Sequence, residues 1–592
     1  MTIFIAITLA ALLAKIICMI HNKIPTDIIG MFIVAIMLVS TTLNVEEALS
    51  CFSSGSVVLV GVIFILSAGL IHTGVPQWIV NHFLSKAKGL SDIMLRLLLP
   101  AAFLSAFINN LAVVQLFIAP IKMWARKRHI APSRLLLPLS YASTLGGLCT
   151  IIGNASNIVV ADFYINSSGP QVPLNIFTPL LPGLFCMAIG IISIILLQRL
   201  LPVRKSPEES FESSAEYTVE LLVPTDCPHI GQTVSEAKLY SVPGGHLIEI
   251  VRFDREVISP VPADEFIIGG DRLVYSGRID SILELRKPHG LANATHHVFN
   301  VNEISKNRKL QTASIDANSP LIGTSISETE FENDNNVVLV AIAREGERIR
   351  EIPRETVLRA GDTLLFEGSK LNPKHFYNNL NFFDSVSLPQ TNYKTIISSL
   401  IMVLMVVLSA FKIIPLLNSC FLAAVLMCVT RCFSLQQLQR SIQWNVLMGF
   451  AGSVCLGRAI DVTGIADYLA DGVMSICSTN DSPNAMLSLI LICFTATIIT
   501  EFVASTTAAA VLTPIAMDVA ATLHANPLTF LVGLMLAVSC SFATPIGSDS
   551  NTMVYGPGGY KFGDYFKIGL CMNIIMLCAN IFITNIVFPL YP

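Results

Sequence analysis

Charge is scarce in this chain. Asp, Glu, Lys and Arg make up 13% of its 592 residues, whereas 53% are hydrophobic and the mean hydropathy is +0.66. Soluble domains carry about a quarter charged residues, so the shortage excludes an ordinary soluble globule and implies an integral membrane protein. The net charge of -4 offers no basic surface for nucleic acid, and the charges are concentrated in one central block. Paired CxxC spacing is missing too: the fourteen Cys are scattered, mostly through apolar segments such as those holding Cys493 and Cys571. They read as small packing residues rather than metal or disulfide ligands. No nucleophile and base pair, phosphate loop or metal triad stands out, which argues against an enzyme. The apolar N-terminal stretch lacks a basic leader and reads as a retained transmembrane helix rather than a cleaved signal.

What the chain does have is a repeated octapeptide. Thr150 to Asn157 reads T-I-I-G-N-A-S-N, and Thr544 to Asn551 reads T-P-I-G-S-D-S-N. Each copy lies in a long apolar segment, where Gly among small polar residues should interrupt a helix. Interrupted helices inside a membrane are tolerated where the freed backbone lines a cavity or binds something. Two matched interruptions, one per half, point to the binding site of a secondary transporter.

The chain in order supports two parallel halves. Apolar runs at Thr2 to Ile20, Asp27 to Ser40 and Val57 to Leu70 predict three membrane helices, followed by an amphipathic interfacial segment over Gln77 to Lys88. Met94 to Met123 is apolar but holds Asn109 and Asn110 at its centre, which predicts a re-entrant hairpin with those amides at the tip. It exits into Lys122, Arg126, Lys127, Arg128 and Arg134, a cluster that the positive-inside rule places in the cytoplasm. Then comes the first broken helix, with its break over Gly153 to Asn157, and a span over Ile176 to Leu197. The second half has spans at Ile396 to Phe411, Leu416 to Val429 and Trp444 to Leu456. Its second hairpin, Met486 to Met517, aligns Ser505 to Ala508 with Asn109 to Ala112. The second broken helix (Leu528 to Met553) and a last span (Ile568 to Phe588) follow. The fold class expected is a polytopic α-helical membrane protein of two inverted repeats, 1–205 and 383–592, each with a re-entrant hairpin and a broken helix.

Between them, 206–382 alternates apolar and polar residues in short runs such as HLIEIVRF and NVVLVAIAR, predicting a cytoplasmic α/β insert. It repeats internally: Ile230-Gly231 followed by Gly270-Asp271-Arg272-Leu273 matches Ile322-Gly323 followed by Gly361-Asp362-Thr363-Leu364. The two units, 206–299 and 300–382, resemble paired TrkA-C modules. That resemblance implies dimerisation and regulation by a small ligand such as a nucleotide.

The second break continues as S-N-T-M-V-Y-G-P-G-G-Y-K-F-G-D-Y-F from Ser550 to Phe566. With N-N-L-A-V-V and the paired T-x-I-G loops, the chain resembles the divalent-anion:sodium symporter family, most nearly a sulfate-permease-like branch with inserted TrkA-C modules. The resemblance implies a homodimer in the inner (plasma) membrane that moves its transport domain past a scaffold as an elevator. It also implies sodium ions held by hairpin and loop oxygens, with a small inorganic or organic anion between the tips. Carried onto this chain, one sodium site takes Ser105, Asn109, Asn110 and the loop at Gly153; the other takes Ser505, Thr506 and the loop at Gly547. Asn110, Ser156, Asn157, Thr506, Ser550, Asn551 and Thr552 are the expected anion donors. A dianion is costly to bring into hydrocarbon, and bound sodium and helix N-termini offset that cost. The family's tips commonly read Ser-Asn-Thr and its dicarboxylate members carry Pro-Pro-Asn, patterns this chain lacks. Sulfate is therefore the first expectation, a dicarboxylate the second. Glu501 and Asp549 are acidic groups near the site that ligate sodium, carry coupled protons or face water, and they keep cation or proton antiport as a further reading.

Overall fold

In the computed structural model the described residues are 2–21, 26–83, 89–128, 130–165, 174–204, 393–433, 435–479 and 482–591, with shorter stretches between 217 and 382. The chain forms two compact units, Met1–Arg204 with Val386–Pro592, and Lys205–Ser385. The junctions expected at Ser206 and at 383 lie outside the described residues, as do 84–88 of the interfacial segment.

The first unit is helical. Its N-terminal half runs α1 (Thr2–His21), α2 (Thr26–Val39), α3 (Val45–Ser50), α4 (Gly55–His72), α5 (Val75–Phe83), α6 (Leu90–Ser105), α7 (Asn110–Lys127), α8 (Ser133–Gly147), α9 (Ala155–Ile165) and α10 (Leu180–Leu196). Its C-terminal half runs α11 (Tyr393–Ala410), α12 (Leu416–Val429), α13 (Leu435–Ser441), α14 (Trp444–Val462), α15 (Ile465–Ile476), α16 (Ala485–Thr500), α17 (Ser505–Thr522), α18 (Pro527–Ser539), α19 (Asp549–Gly558) and α20 (Phe562–Val587). Among the described residues, ten α-helices in one half thus meet ten in the other in the same order of lengths and breaks. Even the joints match. Gly74 and Gly464 have left-handed φ of 78° and 72° at the start of α5 and α15, while Thr41 and Arg431 (55° and 52°) follow α2 and α12. The helices start where polar caps stand: Asn44 and Glu47 form a capping box on α3, and Asn484 and Asn526 accept from the first turns of α16 and α18.

Five helical segments among the described residues are long and apolar enough to cross a membrane, including Val45–His72, Leu180–Leu200 and Phe562–Val587. Apolar side chains such as Leu13, Phe103, Phe185, Val403 and Phe582 point outward, an arrangement stable in lipid and not in water. The broken helices lie inside. α9 packs on α17 and α18, α19 packs on α7 and α8, and α2 packs on α14, so the halves interlock.

The second unit holds two antiparallel sheets with separate cores, one around Leu221, Ile250 and Tyr275, the other around Ile315, Ile342 and Phe366. In the first, strand Arg272–Gly277 lies between Tyr217–Leu222 and Gly245–Arg252; in the second, Thr363–Gly368 lies between Lys309–Ile315 and Val338–Arg344. The internal repeat extends to single bonds. Gly231 N donates to Ile267 O and Gly323 N to Leu358 O; Gly270 N donates to Val223 O and Gly361 N to Ile315 O. All four glycines have φ between 82° and 93°, a region hostile to other residues.

Each sheet also holds a forked ion pair that spacing alone did not reveal. Arg252 Nε donates to Asp271 Oδ1 at 3.1 Å and Arg344 Nε to Asp362 Oδ1 at 2.8 Å, each guanidinium donating from Nη2 to the second oxygen. Burial holds the Asp362 carboxyl above the ordinary carboxylate range, with Arg344 opposing that shift. Substituting Arg344→Met strands a buried carboxylate, and since Arg344 is partly exposed we expect about 2–3 kcal/mol of lost module stability at neutral pH. A carboxyl whose folded pKa lies above its unfolded value favours the fold below that value and loses the benefit as pH rises. Removing Arg344 raises the Asp362 pKa further, so the deficit of the variant should shrink on acidification. Thermal unfolding at pH 7.5 and pH 5 measures it; a deficit that grows on acidification contradicts the assignment.

Candidate functional site

The two breaks have the same internal wiring. After the Gly146-Gly147 pair, poor helix formers, α8 ends and the chain is irregular from Leu148 to Asn154 before α9 starts. In the other half it is irregular from Cys540 to Ser548, between α18 and α19. The first break therefore begins earlier than the expected Gly153, and Ser156 and Asn157 lie in the first turn of α9. Thr150 Oγ1 donates to Ala106 O and receives Gly153 N at 3.0 Å; Thr544 Oγ1 donates to Glu501 O at 2.6 Å and receives Gly547 N at 3.1 Å. Asn157 Nδ2 donates to Gly147 O and Thr150 O, and Asn551 Nδ2 to Ser541 O and Thr544 O, all at 3.0–3.2 Å. The shared Thr, Gly and Asn of the octapeptide are thus the parts that tie each break to itself.

Both asparagines are also held from the opposite half. Ser539 Oγ donates to Asn157 Oδ1 at 3.1 Å and lies 3.1 Å from Ser156 Oγ, and Ser140 Oγ donates to Asn551 Oδ1 at 2.7 Å. Asn157 and Asn551 are fully buried, and in this conformation their amides hold the two breaks together. Ser156 and Ser550 are buried beside them, and Thr552 Oγ1 donates to Pro545 O at 2.6 Å.

The hairpin tips correct the alignment by one residue. α6 ends at Ser105 and α7 starts at Asn110; α16 ends at Thr500 and α17 starts at Ser505. Because Thr150 binds Ala106 O where Thr544 binds Glu501 O, Asn110 corresponds to Ser505 and Asn109 to Ala504. Asn109 Oδ1 accepts from Leu111 N at 3.0 Å and so caps α7, whereas Asn110 points inward. Around Asn110, oxygens converge. Ser105 Oγ is 2.6 Å from its Oδ1, and Ser143 Oγ is 3.0 Å from Ser105 Oγ and donates to Asn110 O at 3.1 Å. Turned over, the Asn110 amide nitrogen donates to Gly153 O at 3.1 Å, Ser143 O at 3.2 Å and Ser105 Oγ at 2.6 Å. A Cβ on Gly153 would come within 2.9 Å of Ser105 O and 2.8 Å of Gly147 O, so only glycine lets these carbonyls close in.

The second half differs where charge enters. Glu501 Oε1 accepts from Phe542 N (3.0 Å), Ala543 N (3.1 Å) and Asn573 Nδ2 (2.6 Å), while Glu501 Oε2 and Ser541 Oγ are buried without hydrogen-bond partners among the described residues. A Cβ on Gly547 would lie 2.0 Å from Ser541 Oγ and 2.5 Å from Thr500 O. The first half has Ala106 in place of Glu501. Gly183 backs onto Leu148 and Cys149 as Gly569 backs onto Phe542 and Ala543, which puts Met187, in contact with Cys149, where Asn573 stands. Asp549 starts α19 as an exposed first-turn acid, apart from this buried cluster, and Ser505 and Thr506 stand half-buried in the first turn of α17. Asn573, Ser541, Ser140 and Ser539 were not anticipated; an Asn within an apolar span was the available signal for the first.

Amide, hydroxyl and carbonyl oxygens at each break suit a hard cation, and helix N-termini beside them suit an anion. Apolar outward faces around paired, inward-facing helix breaks define a membrane protein of the secondary transporter class. The citrate transporter family model matches residues 16–491, and the chain belongs to that family. It is 30% identical to an uncharacterized transporter of Synechocystis over 99% of this chain and 98% of that protein. It is 27% identical to an uncharacterized transporter of Escherichia coli over 98% of each. Sodium/sulfate cotransporter 2 of Chlamydomonas reinhardtii is 26% identical over 63% of this chain and 43% of its own length. A sodium-dependent dicarboxylate transporter of Staphylococcus saprophyticus matches at 22% over 26% of this chain.

Proposed function

We propose that this protein is a sodium-coupled symporter of a small divalent oxyanion, sulfate first. The observation that carries the reading is the convergence of the Asn110 side chain, Ser105 Oγ and Ser143 Oγ at the first hairpin tip, beside the break that Gly153 lets close in. Such oxygens can be joined by hydrogen bonds alone or by a cation. Sodium does the latter without a fixed charge on the protein. The second site, at Thr500, Ser541 and Gly547, has a carboxylate in reach of the same coordination. Relatives named as sodium/sulfate cotransporters support both cation and substrate. The halves at 1–205 and 383–592 are read as inverted repeats moving as an elevator within a homodimer of the inner membrane. The modules at 206–299 and 300–382 are read as cytoplasmic TrkA-C-like regulators for a nucleotide or similar ligand.

The family description favours a second reading, an organic carboxylate such as citrate or a dicarboxylate. Cation or proton antiport, a third, draws on Glu501. Uptake of labelled sulfate, succinate and citrate into proteoliposomes, each with and without an inward sodium gradient, separates them. We expect sodium-driven sulfate uptake several-fold above the sodium-free rate; sulfate uptake indifferent to sodium refutes coupling, and uptake of carboxylates alone refutes the substrate.

A further inference from the structure

One buried charge lies outside everything described so far. α1 turns Leu9, Leu13 and Ile17 outward and buries Thr8, Ala11 and Lys15 along the opposite stripe. Lys15 is 5% exposed. A lysine on a membrane helix ordinarily snorkels its ammonium to the interface. Here Lys15 instead turns inward and donates to Ser453 Oγ of α14 at 2.8 Å.

Its surroundings offer it no counter-ion among the described residues. Among the described residues Ser453 is its hydrogen-bond partner, no carboxylate stands within ion-pair distance, and its titratable neighbour is the buried thiol of Cys455. An ammonium has three donors, and one is used. A buried amine lacking a counter-ion gives up its proton readily and keeps it where an opposite charge is supplied.

The contact leads to the site. Ser453 Oγ lies 3.1 Å from Thr507 Oγ1, and Thr507 stands in the first turn of α17 beside Ser505 and Thr506. The ammonium is thus two hydrogen bonds from a hairpin tip whose helix N-terminus already carries partial positive charge. The two potentials add there.

We propose that Lys15 is a specificity-determining residue whose amine, held protonated by the bound ligand, selects a doubly charged anion at the α17 tip, with Ser453 and Thr507 holding it in place. The inference rests on the anion-symport reading. It also accounts for how a dianion is tolerated at a site whose other named groups are neutral apart from the carboxylate of Glu501.

The test compares the full-length wild type with Lys15→Gln, Lys15→Met and Lys15→Arg in detergent and in proteoliposomes. Thermal shifts by sodium alone, and by sulfate at saturating sodium, are read separately. Lys15→Gln and Lys15→Met should keep the sodium shift and bind sulfate at least tenfold more weakly, while Lys15→Arg stays within about threefold of wild type. Methionine matches the volume and is at home in a membrane core, so it guards against a folding loss in the glutamine variant. Sulfate affinity unchanged in Lys15→Met overturns the inference and leaves the symport reading intact. Wild-type protein that takes up none of sulfate, succinate or citrate overturns both.

Discussion

Glu501→Ala is expected to unfold or inactivate the protein, and Glu501→Gln to leave it folded with altered sodium dependence. The alanine variant leaves Ala543 N and Asn573 Nδ2 buried with no acceptor, while Phe542 N keeps Asn573 Oδ1 at 3.2 Å. Each such donor costs about 1–3 kcal/mol, so even the low end of the sum, about 2 kcal/mol, is a large share of a typical folding free energy. Glutamine keeps a carbonyl oxygen where Oε1 stands and puts an amide nitrogen in place of Oε2. Its stability should therefore lie within about 1 kcal/mol of wild type. What it loses is the negative charge. On the sodium-symport reading, that charge belongs to the second cation site and not the first, where Ala106 stands. Half-activation by sodium should then rise at least tenfold in Glu501→Gln, measured as initial sulfate uptake against sodium concentration. Glu501→Ala protein as stable as wild type in thermal unfolding would show that the carboxylate is not the acceptor those donors depend on; unchanged sodium dependence in the glutamine variant would remove it from the cation site.

Glu501 also explains why part of the architecture was legible in the sequence and part was not. The paired octapeptides, the hairpins preceding them and the doubled glycines of the insert are local patterns, and the structure builds each from its own segment. The start of the second break is different. Ser539-Cys540-Ser541-Phe542 contains no Gly or Pro to stop a helix. α18 ends there while Phe542 N and Ala543 N are held by a carboxylate some forty residues earlier, and a window of neighbouring residues cannot show a competition of that range. The hairpin alignment slipped by one for a related reason. Similar letters matched Asn109 with Ser505, whereas the Thr150 and Thr544 hydroxyls reveal the register through the carbonyls they bind. Arg252 and Arg344 sat in plain view on alternating strands, yet pairing them with Asp271 and Asp362 needed the sheet.

The second large effect is expected from Asn157→Ala and Asn551→Ala, and it distinguishes a framework from a ligand. Each asparagine donates two bonds to the carbonyls of its own break and accepts one from a serine of the opposite half. Alanine removes all three, and with net values near 1 kcal/mol per bond plus stranded carbonyls, about 3 kcal/mol should be lost at either site. Because the two networks match, the losses should agree within about 1 kcal/mol despite the charge in one half and not the other. If the amides held the anion directly, the substrate KM would climb while the maximal rate of surviving protein stayed near normal. A framework role predicts the reverse: a maximal rate down at least tenfold and a KM within about twofold of wild type. The serines sharpen the test. Ser539 belongs to the second broken helix but bonds Ser156 and Asn157 of the first, so Ser539→Ala should disturb the first break. In a double-mutant cycle with Asn157→Ala, residues in contact show coupling of about 0.5–3 kcal/mol, and independent ones add. Strict additivity would mean that the halves do not brace each other through these side chains; coupling would mean that neither break keeps its shape without the other.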